Sequence, residues 1–187
     1  MSTNRKPVKA LRSDRVIFIT GEITDVLVGE VIRKMLQLDK KCNKDILLIL
    51  NTDGGEVTAG HLLINFFKLI RSDISILVPA NAQSIGSIIL ASGTKGKRIV
   101  MNGTIVMMHG SVYELPLNAH KIQKSDVDFQ ERHEQFFVNV LRSTGYKTPE
   151  TSLASEYTYH IGQEIIDVGL ADNMINSLEE LHNIVNL

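Results

Sequence analysis

An α/β fold is predicted for this 187-residue chain by three features of its sequence. Residues 46–50 are a continuous apolar run without alternation, as expected of a strand covered on both faces of a sheet, and residues 74–78 read as a further strand. Between and around them, apolar positions recur at helical spacing. Strands that alternate with helices in this way argue for crossover units.

Taken in order, residues 15–20 read as a buried strand. From about Thr24, Val28, Val31, Ile32 and Met35 mark the buried face of a helix, with Lys34 and Asp39-Lys40-Lys41 expected to face water. A second strand spans 46–50, and a glycine pair follows it before a run that opens at Val57. Residues 61–70 are apolar nearly all round, which implies a central helix, and Ser72-Asp73 ends it before the strand at 74–78. Short strands near 98–101 and 104–108 are joined by Asn102-Gly103, a favourable hairpin turn.

Residues 119–142 form a long helical stretch, polar in its first half, with Phe129, His133, Phe136, Phe137 and Val140 on one face of the second. Such a polar helix is marginal alone, so it packs on something. The pattern leaves open whether that is its own subunit or another.

Three segments carry chemistry. Ala82-Gln83-Ser84-Ile85-Gly86-Ser87 sets a serine on a small-residue bend where a helix begins, next to first-turn amides that have no intrahelical partner. For a lone serine, capping the helix is the commoner role. Asn51-Thr52-Asp53-Gly54-Gly55 brings bare backbone close to whatever sits beside it, although Asp-Gly-Gly is also an ordinary turn. Ile105-Val106-Met107-Met108-His109-Gly110 is a strand ending in a histidine, a residue more often hydrogen-bonded in a core than catalytic. Together they supply a nucleophile, a base and an oxyanion-stabilising backbone.

These motifs, in this order, resemble the proteolytic subunits of the Clp protease, the ClpP family. The resemblance rests on Asp14-Arg15-Val16-Ile17-Phe18-Ile19-Thr20-Gly21, NTDGG with Ala59-Gly60, QSIGS with Ala91-Ser92-Gly93, Lys95-Gly96-Lys97-Arg98, MMHG, and Val168-Gly169-Leu170-Ala171-Asp172. It runs from about residue 14 to about residue 175, and His109 follows Ser84 by the family's own 25 residues. It implies a ClpP/crotonase-like fold of repeated β-β-α units with a projecting handle helix, in one peptidase domain over 1–187 with a short tail at 1–13 and a handle region at about 111–142. By the same resemblance Ser84 is the nucleophile, His109 the general base, and the backbone N–H groups of Gly55 and Ile85 the oxyanion hole. The implied activity is that of a serine endopeptidase acting on unfolded polypeptides or short peptides inside an oligomeric chamber. The implied assembly is a homo-oligomer, a heptameric ring or stacked rings, working with a Clp-type ATPase.

The chain departs from the family pattern in several places. The family's third catalytic residue is an aspartate, and Tyr157 or Thr158 stands at the matched position, with Glu156 the nearest acid. Glu156 is therefore the candidate to orient His109, and a Ser–His dyad helped by a hydroxyl or a backbone carbonyl is the alternative. Asp53 replaces a proline of the family's first loop, the stretch from Gly110 to Pro116 is thinner in glycine, and only residues 1–13 stand where the family carries a leader and axial loop.

With Lys+Arg 20 against Asp+Glu 21, the charge balance favours neither nucleic acid nor an anionic membrane as partner. No apolar run approaches bilayer-spanning length, and the basic start (Arg5, Lys6, Lys9, Arg12) has no apolar segment behind it, so neither a membrane span nor a secretory signal is expected. A single cysteine, Cys42, excludes an internal disulfide and suggests a reducing, cytoplasmic setting. No His/Cys spacing makes a zinc set and no GxxxxGK[ST] sequence is present, so no metal or cofactor is expected and ATP would be used only by a partner. Two other classes stay open: a catalytically silent subunit acting as a scaffold, and a crotonase-type acyl-CoA enzyme.

Overall fold

The computed structural model describes residues 13–110, 124–148 and 157–187. A 3-10 turn at Ser13–Arg15 leads into β1 (Val16–Thr20), which is followed by α1 (Asp25–Lys41), β2 (Ile46–Asn51), α2 (Val57–Phe67) and β3 (Ile74–Val78). Then come β4 (Asn81–Gln83), α3 (Ile85–Ala91), β5 (Arg98–Met101), β6 (Ile105–Met108) and α4 (Lys124–Thr144). The chain closes with β7 (Thr158–Ile161), α5 (Gln163–Asp167), β8 (Asn173–Ile175) and α6 (Leu178–Ile184).

The strands form two sheets, a five-stranded parallel one in the order β1-β2-β3-β5-β8 and a three-stranded one in the order β4-β6-β7. In the small sheet β4 runs parallel to β6, and β6 is antiparallel to β7. Alternate residues of the large sheet go to opposite faces, as a strand's two-residue period requires. Ile17, Ile19, Leu48, Leu50, Ile76 and Val100 join the main core with α1 to α4. Val16, Leu47, Leu77 and Ile99 join a second cluster, which Leu181 of α6 helps to cover. Both faces are thus buried, which explains why residues 46–50 of β2 read as an unbroken apolar run and why β3 is buried throughout, Ser75 included.

Several expected elements are adjusted by tertiary contacts. The helix α1 starts where Thr24 caps it, its hydroxyl accepting from Leu27 N–H at 3.3 Å. Asp39, expected to face water, is buried, and accepts from Ser72 N–H (2.8 Å), Arg71 N–H (3.0 Å) and the Ser72 hydroxyl (3.0 Å). Burial raises its pKa, yet the bonds from Ser72 and Arg71 outweigh that and hold the carboxyl below its ordinary range. The second helix spans Val57–Phe67 rather than 61–70, and Leu62 and Leu69 of that stretch are exposed.

The turn at Asn102-Gly103 forms, with Thr104 N–H donating to the Met101 carbonyl at 3.0 Å, but the strands it joins do not pair. The buried Thr104 hydroxyl donates to the Val78 carbonyl at 2.9 Å and Ile105 N–H donates to the Ala80 carbonyl at 2.8 Å. These bonds carry the chain out of the large sheet and beside β4. The small sheet exists because of that diversion, and its strands β4 and β6 lead into Ser84 and His109.

The long helix α4 is divided as its composition suggests. Residues 124–129 are exposed, whereas His133, Phe137, Val138 and Leu141 are buried. Its second half packs on α3 within the same chain. Residues 119–123, the tail at 1–12 and the first part of the handle region lie outside the described residues.

Candidate active site

Strand β4 delivers Ser84. It is paired with β6 through Asn81–Ile105, Ala82–Val106 and Gln83–Met107, and the ladder continues into Ser84, whose N–H donates to the Met107 carbonyl at 2.8 Å. There the chain turns sharply into α3. Ser84 has φ 52° and ψ −126°, and among the described residues it is the only non-glycine with positive φ. An L-residue in such a conformation costs about 1–3 kcal/mol, a strain that recurs where function requires a side chain to be presented. The first turn of α3 is closed behind it, with Ser87 donating to the Ser84 carbonyl from both its N–H (3.0 Å) and its hydroxyl (2.6 Å).

His109 arrives from the end of β6. Because β6 lies beside β4, its Nε2 reaches the Ser84 hydroxyl at 2.9 Å, and both residues are half-buried. The other ring nitrogen, Nδ1, lies 2.5 Å from the carbonyl oxygen of Gly110. The Tyr157 ring is tilted against the imidazole, with centroids 5.8 Å apart.

The glycine pair comes from the end of β2. Gly54 and Gly55 have φ of 116° and 145°, conformations that L side chains rarely adopt. A Cβ on Gly54 would stand 2.8 Å from the Cβ of Ser84, and one on Gly55 would stand 2.3 Å from the Ile23 carbonyl oxygen. Only bare backbone passes this close to the serine. Thr52 fixes the loop: its hydroxyl accepts from Gly54 N–H at 3.0 Å and donates to the Gly21 carbonyl at 2.6 Å. Asp53, in place of the family's proline, accepts the side-chain amides of Asn81 (2.5 Å) and Gln83 (3.1 Å), which ties the loop to the strand that leads into Ser84.

Beside Ser84 and His109 lies a cavity of about 180 Å³, whose lining includes Gly55, Val57, Ile85, Ile88, Met108 and Phe137. It is somewhat larger than the roughly 150 Å³ that admits a benzene ring. Part of its wall, Phe137, comes from α4, which is held on α2 by His61: that ring stacks on Phe136 with centroids 3.7 Å apart and meets His133 edge-on at 5.2 Å. Burial, His133 and Lys68 all push the His61 pKa down.

The Clp protease family model matches residues 2–178 of this chain. The chain belongs to the Clp protease family. It is 42% identical over 100 residues to the ATP-dependent Clp protease proteolytic subunit from each of two strains of Streptococcus thermophilus. That match covers 53% of this chain and 51% of the relative, so it spans about half the length of these curated relatives.

Within this Clp protease framework the structure brings Ser84, His109, Gly55 and Ile85 to one cavity. Glu156 lies outside the described residues. Thr158 stands opposite Met108 in the β6–β7 ladder, and Tyr157 contributes its ring to the side of His109. Sequence reasoning missed Phe137 as a wall of the cavity, because an amphipathic pattern does not say what its apolar face meets. It also missed the anchoring role of Asp53, whose partners lie 28 and 30 residues away.

Among the described residues no group of three or more His, Cys, Asp or Glu side chains is arranged to hold a metal ion. No helix among them is long and apolar enough to cross a membrane.

Proposed function

We propose that this chain is a serine endopeptidase that cleaves polypeptides through Ser84 and His109. The observation that carries the proposal is the 2.9 Å contact between His109 Nε2 and a Ser84 hydroxyl on a strained strand-to-helix turn. A capping serine has no need of that conformation, since caps sit in extended backbone. Here Ser84 makes no side-chain cap bond.

In the proposed reaction His109 Nε2 takes the Ser84 proton as Oγ bonds to the substrate carbonyl carbon. The carbonyl oxygen becomes an oxyanion facing the N–H groups of Gly55 and Ile85. One such donor is typically worth about 3–4 kcal/mol, so the glycine pair matters as much as the side chains. On collapse the C–N bond breaks and His109 returns the proton to the leaving amine. Water then attacks the acyl-enzyme, giving its proton to His109 and releasing the carboxylic acid with Ser84 restored. Val57, Ile88, Met108 and Phe137 make the adjoining cavity suited to an apolar side chain of the substrate.

The assembly expected of the family, a ring or pair of rings of identical subunits, is part of this reading, as is service to a Clp-type ATPase. Closed rings use head-to-tail contacts. Light scattering at micromolar concentration should give a mass well above 20.8 kDa, and a monomer alone would remove the ring from the proposal.

Hydrolysis of a fluorogenic peptide with an apolar residue at the cleaved position tests the chemistry. Turnover by the wild type, and its loss in Ser84→Ala and His109→Ala, is the expected result. Turnover that persists in both variants would overturn the proposal.

A further inference from the structure

We propose that the carbonyl of Gly110, rather than a side-chain acid, is the group that holds the His109 imidazole in its working tautomer. The inference rests on the serine peptidase reading above and concerns how that site is completed. A neutral imidazole carries one N–H, so for Nε2 to accept the Ser84 proton, Nδ1 must bear the hydrogen and needs an acceptor. The acceptor at Nδ1 among the described residues is Gly110 O, at 2.5 Å. The residues at the position of the family's aspartate do other work: Tyr157 sets its ring against the imidazole, and Thr158 lies in the ladder opposite Met108.

The carbonyl belongs to the residue next to the histidine, so ring and acceptor are placed by the same short piece of backbone. It orients the base as a carboxylate would. Being neutral, it brings no negative charge to the imidazolium that forms when the Ser84 proton moves. The site is then a Ser–His dyad braced by backbone, and Gly110 is its positioning residue.

Replacing Ser111 by its α-hydroxy analogue turns the 110–111 amide into an ester and weakens the Gly110 carbonyl as an acceptor, with every side chain kept. The proposal predicts a fall in kcat of about tenfold at a KM changed less than twofold, the scale of a misplaced positioning group. In the wild type, the ¹⁵N spectrum of His109 at neutral pH should show the Nδ1–H tautomer, and in the ester variant a mixture. A kcat within twofold of wild type, a change in KM alone, or a wild-type Nε2–H tautomer would overturn it. The Glu156→Gln variant supplies an independent arm. Its kcat is expected to stay within twofold, and a tenfold loss would assign the role to that carboxylate instead. Fluorophosphonate labelling of wild-type Ser84 separates the two readings: without labelling the peptidase itself fails, whereas labelling together with an indifferent ester removes only the role of Gly110.

Discussion

Two strand-to-helix turns in this molecule have nearly the same backbone and different residues. Ser84, between β4 and α3, has φ 52° and ψ −126°, and Gly162, between β7 and α5, has φ 56° and ψ −121°. Each donates its N–H to the chain at or beside β6, Ser84 to Met107 and Gly162 to Thr104. Each accepts from the residue three positions on, Ser87 N–H at 3.0 Å and Ile165 N–H at 3.2 Å. Glycine is the expected occupant of such a turn, because it has no Cβ to strain. The serine therefore marks the turn where a side chain was worth the strain, and this turn faces His109 while the other does not.

The largest effect that could break the comparison is on catalysis. Ser84→Ala and His109→Ala should each lower kcat by about 10⁴-fold to 10⁶-fold, and the double variant should be no worse than either, since triad members act as a unit. Additive losses would mean that the two residues do not share a step. Thermal unfolding of Ser84→Ala should match the wild type, showing that the loss is chemical.

The next effect is on the loop that passes the serine. Gly54→Ala places a Cβ against Ser84 and displaces the neighbouring backbone proposed as an oxyanion donor, so kcat should fall by about 10²-fold to 10³-fold, the worth of one such donor. Activity within twofold of wild type would show that this loop does not serve the reaction.

Smaller effects sharpen the comparison itself. A Cβ on Gly162 meets nothing closer than 3.8 Å, so Gly162→Ala isolates backbone strain from packing. Strain of about 1–3 kcal/mol, offset by about 0.4–1 kcal/mol of lost chain entropy in the unfolded state, leaves a net destabilisation of about 1–2 kcal/mol with kcat unchanged. Ser84→Gly should show the mirror image, being more stable than Ser84→Ala by a similar amount. Urea unfolding of the three variants measures both differences, and equal stability of Ser84→Gly and Ser84→Ala would mean that the serine turn stores no strain.

The smallest effect is on pH. His61 holds Phe136 and the helix that walls the cavity, and its pKa lies below the ordinary value in the folded protein. The unfolded chain then binds more protons, so the stability His61 contributes is present above about pH 6.5 and is lost as pH falls below it. Melting at pH 7.5 and 5.5 should show a larger drop for wild type than for His61→Phe. Equal drops would place the acid sensitivity elsewhere.

How far the sequence revealed this arrangement depended on where the information lay. Strands β2 and β3 and the face of α1 were legible, because burial on both sides of a sheet and on one side of a helix leaves a periodic mark. Ser84, His109 and the glycine pair were legible from local motifs in their order. Asp39 was not, because its burial depends on Ser72 and Arg71, more than 30 residues away. The split of β5 from β6 was also hidden, since the Thr104 hydroxyl and the Ile105 N–H redirect the chain to Val78 and Ala80, some 25 residues away. Nor could the Gly110 carbonyl be anticipated as a particular residue's task, because every residue has a carbonyl and none announces its use.

The most direct test of the central claim, that the strained serine is the nucleophile, is fluorophosphonate labelling of the intact protein with the modified residue mapped by mass spectrometry. The prediction is one label, on Ser84, lost in His109→Ala. A folded protein that takes no label, or takes it elsewhere with Ser84 unmodified, would contradict it.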